Sequence, residues 1–185
     1  QVIDPSVLDE VRKLEKYVLA ATGLKRSQET AAMLAEALDY QGEIFVFPEF
    51  KERFAGELAG ATLEEIQSNF PLVKVPSDLW KVKAPERGLE TIEQFLERIA
   101  RGIEKLRSLR ETVVMVAHAG SIKGIRAVLD PGTMTAEEIL QGPSPGNGVL
   151  LTFSLGEVKK NDHIDWRRIR SALQQELQSR EARDG

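Results

Sequence analysis

Three side chains in this sequence have types and settings that suit work on an anion. Arg26 stands just after the apolar run "VLAATGL", and His118 closes the β-branched run "TVVMVA" ahead of "AGS". An arginine offers a fixed fork of donors matched to phosphate oxygens, and an imidazole followed by a helix start lies beside exposed backbone N–H groups. Together they describe an oxyanion cradle. Taken singly, each has a plainer reading: Arg26 as a solvated surface charge, His118 as a structural histidine. Glu52 opens "ERFAGELAG", four residues ahead of Gly56 and eight ahead of Gly60, in a loop whose glycines allow sharp turns or close approach to a ligand.

The elements that must hold these groups follow from patterning. Asp4 and Pro5 suit the N-cap and first position of a helix. "YVLAATG" reads as a strand closed by Gly23, followed by a helix over 27–38 that Gly42 stops, and "EIFVFPEF" as a strand ended by Pro48. The stretch from Lys51 to Arg87 is an excursion of loops with one short helix at 62–68, where Thr62 and Glu65 form a capping box. Residues 91–109 place Ile92, Phe95, Leu96, Ile99, Ile103 and Leu106 on one stripe, as a helix lying on a sheet requires. Strands are expected at 18–21, 113–117 and 149–153. The alternation predicts an α/β domain with a mainly parallel sheet flanked by helices, its functional groups beyond the strand C-termini. Residues 1–158 are read as this domain. Residues 159–185 are read as a charged helical tail whose narrow stripe of Trp166, Ile169, Leu173 and Leu177 needs its own body or a protein partner to cover it.

Composition narrows the functions. A formal net charge of −4 gives no basic field for nucleic acid, and no apolar run is long enough to span a membrane. Cysteine is absent, which excludes disulfides, thiolate nucleophiles and thiolate metal sites, and the histidines are His118 and His163 alone. No metal or cofactor is expected. The chain reads as soluble, and its compartment is left open.

In order, these motifs resemble the histidine phosphatase superfamily, which includes the cofactor-dependent phosphoglycerate mutases. "AATGLKRSQETA" is similar to the family's "ASPLKRSxQTA", with Thr22 and Gly23 where Ser and Pro are usual. "ERFAGELAG" is similar to "ERxxGxLxG". "PERGLETIEQFLERI" resembles the "GES" segment and its helix, with Leu89 interrupting the Gly-Glu pair, and "VVMVAHAGSIKGI" resembles "VVSHGGxIR". The likeness runs from about Val18 to Leu155. It implies a three-layer phosphoglycerate mutase-like fold, Arg26 as a phosphate-binding residue, Glu52 as proton donor and acceptor for the leaving group, and His118 as the second pocket histidine. Ala119 and Gly120 would shape the substrate loop, and Phe70 to Arg87, with Trp80, Lys81 and Lys83, would be the specificity region. The ligand would be a phosphorylated small molecule or a phosphoprotein. Family chemistry proceeds through a phosphohistidine without metal, by positioning, charge neutralisation and acid catalysis.

The family's nucleophile lies in an Arg-His-Gly motif ahead of all the matched stretches, and no histidine precedes Leu24 here. His163, in "KKNDHIDW", follows the last expected strand and does not stand in for it. Three explanations compete: a degenerate domain with "QVI" as the stub of the central strand, an upstream strand, or a strand from another chain. Losing a middle strand leaves buried backbone groups unpaired, at about 1–3 kcal/mol each. Taken as it stands, the chain is expected to be a non-catalytic, phosphoester-binding or structural member. The alternative is an active metal-independent phosphomonoesterase or mutase whose nucleophile motif lies upstream.

Overall fold

The computed structural model describes residues 3–129 and 134–155, with Gln175 and Gln178 beyond them. Three parallel strands form the sheet: β1 (Val18–Thr22), β2 (Ile44–Phe47) and β3 (Val113–Val116), in the order β2-β1-β3. Register pairs Ala21 with Val46 on one side and with Val116 on the other. Hydrogen-bonded on both edges, β1 is buried from Leu19 to Thr22, which is why "VLAAT" reads as a continuous small and apolar run rather than an alternating one.

Successive side chains of β1 point to opposite faces, and each face has its own helices. Leu19 joins Val114, Val11 of α1 (Pro5–Arg12) and Leu34 of α2 (Lys25–Ala37) in one cluster. Ala20 points the other way, into the main core with α4 (Ile92–Leu109), α5 (Ala119–Leu129) and α6 (Ala136–Gln141). The result is a three-layer α/β/α domain. A third, smaller cluster of Leu58, Ile66, Val73, Val82, Ala84 and Leu89 packs the excursion, which is built from α3 (Leu63–Asn69) and short 3-10 turns.

Helix starts follow their caps. Asp4 accepts from Ser6 N at 2.9 Å, and Thr62, Thr91 and Thr135 each form reciprocal capping boxes with Glu65, Gln94 and Glu138. Each such cap is worth about 1 kcal/mol. The apolar stripe of α4 is buried as its spacing demands, and the helix closes on Arg110 at φ 53°. Gly102 interrupts that stripe for a packing reason: a Cβ there would lie 2.6 Å from Phe50 Cζ. Phe50, fully buried in the 3-10 turn Pro48–Phe50, thereby presses directly on the α4 backbone and fixes the start of the Glu52 loop.

One expected strand does not form. Residues 149–153 have no regular structure, and Val149, Leu150 and Leu151 are 50, 43 and 46% exposed. Strand propensity is expressed only against a neighbouring edge, and these residues pair with none of the described strands. The segment is anchored instead by Phe153 and Leu155 against the main core, with Arg107 Nε donating to Leu155 O at 2.9 Å. Consequently β3 keeps one edge unpaired among the described residues. Ile3, which would belong to the "QVI" stub, is not in a strand and packs beside Val11, Leu19 and Leu34. His163 and the Trp166, Ile169, Leu173, Leu177 stripe lie outside the described residues.

Candidate active site

Each of the three parallel strands leads into one of the candidate residues at the same end of the sheet. Thr22 ends β1, and after the turn at Gly23 and Leu24 the chain enters α2, with Arg26 in its first turn. Phe47 ends β2, and the Pro48–Phe50 turn leads to Glu52. Val116 ends β3, and His118 directly precedes α5. A topology of this kind collects loops, and hence ligand-binding groups, at the carboxyl edge of the sheet.

His118 is held from both ends. Ser121 Oγ accepts from the His118 backbone N at 3.0 Å and donates to its carbonyl at 3.0 Å, so residue and helix start lock each other. The ring Nε2 lies 2.8 Å from Thr22 Oγ1, which in turn lies 2.6 Å from Ser27 Oγ. Ser27 Oγ is within donating distance of the Leu24 carbonyl at 2.8 Å and of the Thr22 carbonyl at 3.1 Å. With the single serine proton on a carbonyl, Thr22 donates to Ser27 and His118 donates from Nε2 to Thr22. Burial, and then the nearby Arg26 guanidinium, push His118 down to about 4, leaving a neutral imidazole at pH 7.

Glu52 lies against the first turn of α5. Its Oε1 accepts from Ser121 N at 3.2 Å, and the Gly120 N–H also bonds it. A Cβ at Gly120 would collide with that carboxylate oxygen and come within 3.1 Å of Trp80 Cζ2, so glycine is what admits Glu52 to the helix end. The helix N–H groups beside His118 are thus directed at Glu52 rather than left open for a ligand. Burial raises the Glu52 pKa, against the lowering influence of the Ser121 and Gly120 N–H groups and of Arg26 and Lys123. Trp80 adds to that burial: it packs edge-on to Phe95 at 5.1 Å and carries the Arg53 guanidinium 5.2 Å over its ring.

Arg26 is exposed, and its side chain makes no hydrogen bond or ion pair among the described residues, while its charge acts on both Glu52 and His118. The structure therefore brings Arg26, Glu52, His118 and Gly120 together. Lys83 is exposed, and Lys81 pairs with Asp78 at 2.8 Å. The sequence reading passes over Ser121, whose position at the third residue of a helix is itself a capping signal. It also passes over Lys123, which is 5% exposed and donates to Leu140 O at 3.0 Å and Gly142 O at 2.6 Å, tying α5 to the end of α6. A lysine two residues beyond "HAGS" carries no mark in the sequence that it will be buried. No group of metal-binding side chains occurs among the described residues. A cleft of about 380 Å³ lies elsewhere, against Phe54, Gln94, Glu97 and Arg101, and includes neither Arg26 nor His118.

A parallel three-layer domain with an arginine, a carboxylic acid and a histidine at the carboxyl edge of its sheet is one arrangement that α/β folds use to hold anions. The sequence matches the family model of the histidine phosphatase superfamily (branch 1) over residues 8–143, and the chain belongs to that superfamily. The fold is similar to that of a mycobacterial glucosyl-3-phosphoglycerate phosphatase, with a TM-score of 0.60 and 20% identity over 77% of this chain and 71% of that one. The same phosphatase in complex with inorganic phosphate gives the same values. The α-ribazole phosphatase of Shigella flexneri is similar with a TM-score of 0.56 and 21% identity, over 77% of this chain and 69% of that one. No curated protein matches the sequence significantly.

Proposed function

We propose that this domain carries the phosphate-binding and acid–base groups of a metal-independent phosphomonoesterase or phosphomutase that works through a phosphohistidine. The observation that supports this most is the meeting of Arg26, Glu52 and His118 at one edge of the sheet, with a buried carboxyl whose pKa is raised. In this reading Arg26 binds phosphoryl oxygens through its free fork of donors, and His118, a neutral imidazole whose one ring proton goes to Thr22, lines the pocket. A histidine nucleophile attacks phosphorus in line, the bond to the leaving oxygen breaks, and Glu52 gives that oxygen its proton. In the second half-reaction Glu52 takes a proton from water as the water oxygen attacks the phosphohistidine, which releases phosphate and frees the imidazole. A raised carboxyl pKa suits both halves, because the acid must be protonated first and basic afterwards.

The attacking imidazole is the family's Arg-His-Gly histidine. The substrate class is a phosphate monoester. The test uses the protein purified from its native source at its native length, assayed with p-nitrophenyl phosphate and 3-phosphoglycerate from pH 5 to 8. The expected result is phosphate release with an acid-labile phosphohistidine. Phosphate binding with no turnover would replace this reading with a binding-only member of the superfamily.

A further inference from the structure

We infer that Arg98 and Glu90 are positioning residues for Glu52: they fix the backbone on both sides of it and so hold its carboxyl against α5. The role in catalysis rests on the function proposed above, while the positioning stands on the geometry alone. An arginine has five N–H donors, and Arg98 uses all five. Nε donates to Glu90 Oε1 at 2.8 Å, and Nη2 donates to Glu90 Oε2 at 2.7 Å. The remaining three go to the loop: Nη1 to Glu49 O at 2.7 Å and Lys51 O at 3.0 Å, and Nη2 to Glu52 O at 3.2 Å. The Glu52 carbonyl is thus bound directly by α4.

Glu90 closes the other side. Its Oε2 accepts from Phe54 N at 3.0 Å, its own N donates to Phe54 O at 3.0 Å, and its carbonyl accepts from Arg53 Nε at 2.7 Å. The two side chains are 18% and 12% exposed, and the Arg98 guanidinium lies 5.1 Å over the Phe95 ring. A generic ion pair on a helix surface contributes little and would not need three loop carbonyls. Here the fork is spent on backbone at 49, 51 and 52, where a lysine, with three donors on a point charge, could not span the same acceptors. What the clamp holds is a carboxyl faced by Arg26 from α2 and Lys123 from α5, with His118 beside it and Trp80 from the excursion as its wall.

The experiment measures the titration of the Glu52 side-chain carboxyl by carbon NMR in the 185-residue protein, together with exchange of the Arg98 guanidinium protons. In the unaltered protein, Arg98 protons should exchange far more slowly than those of exposed arginines; exchange at the exposed rate overturns the proposal without any variant. In Arg98→Lys, and in the paired Arg98→Met with Glu90→Gln that leaves no unpaired charge, the Glu52 midpoint should fall toward the ordinary 4.5 as water reaches the carboxyl. Arg107→Lys serves as the control, since Arg107 lies further along α4 and bonds Leu155 O and Glu104. It should leave the midpoint in place. A folded Arg98 variant with an unmoved Glu52 midpoint overturns the proposal. Phosphate turnover is read separately, so an inactive protein whose Glu52 midpoint responds to Arg98 would retire the enzyme reading and leave the clamp standing.

Discussion

Glu52 is pulled in two directions, and burial wins: its pKa is raised despite two backbone N–H donors and two cations nearby. The folded protein therefore binds that proton more tightly than the unfolded chain does. Stability from this group is fully present below the ordinary value of 4.5 and is lost as pH rises through the raised value. Glu52→Gln keeps an oxygen for Ser121 N without the charge, so it should melt at an equal or higher temperature at pH 7 and lose this part of the pH slope. His118 has the opposite sign. Held at about 4 against an ordinary 6.5, it stabilises fully above 6.5, and that contribution is lost as pH falls through about 4. Denaturant midpoints of the wild type minus those of His118→Asn, taken from pH 8 to 4, should decline through this window; a flat difference would show that the imidazole is not shielded. At this scale the motifs name Arg26, Glu52 and His118 because residue type and position at strand ends are written in the sequence. The Thr22, Ser27 and Ser121 hydroxyls that orient His118 are ordinary small polar residues, and only their convergence in space gives them that part.

Helix α4 shows the same division between elements. Its stripe can be read directly, since a 3.6-residue period survives any detail of packing, and Thr91 with Gln94 marks its start. Gly102 within it reads only as a weak spot, and the structure shows it as the seat of Phe50. Gly102→Ala would force the Phe50 ring away from the α4 backbone at a site already closely packed. A loss of about 1–3 kcal/mol in unfolding free energy is expected, with a loosened 49–54 loop visible as faster amide exchange at Phe54. Unchanged stability would mean that the ring has room to move. "NGVLLTF" illustrates the opposite limit: its apolar residues favour a strand, but pairing depends on an edge that local sequence does not describe, and residues 149–153 stay unpaired.

For the whole molecule, the α/β/α layering is legible because helical and strand periods alternate along the chain, and each of the three strands is followed by one of the candidate residues. The order β2-β1-β3 is not, since nothing in a short apolar run says which neighbour it takes. That order puts β1 in the middle and brings Thr22 to His118. It also leaves two places where an anion could lodge: the Arg26 and His118 group, and the cleft beside Gln94 and Arg101. Titration of inorganic phosphate into the isotope-labelled 185-residue protein at pH 7 separates them, followed by amide and imidazole NMR. Saturable shifts are expected at Leu24, Arg26, His118, Gly120 and Ser121, with binding weakened about tenfold or more in Arg26→Ala by loss of the charge-assisted bonds. Shifts confined to Phe54, Gln94 and Arg101, or binding indifferent to Arg26→Ala, would contradict a phosphate site at Arg26 and His118.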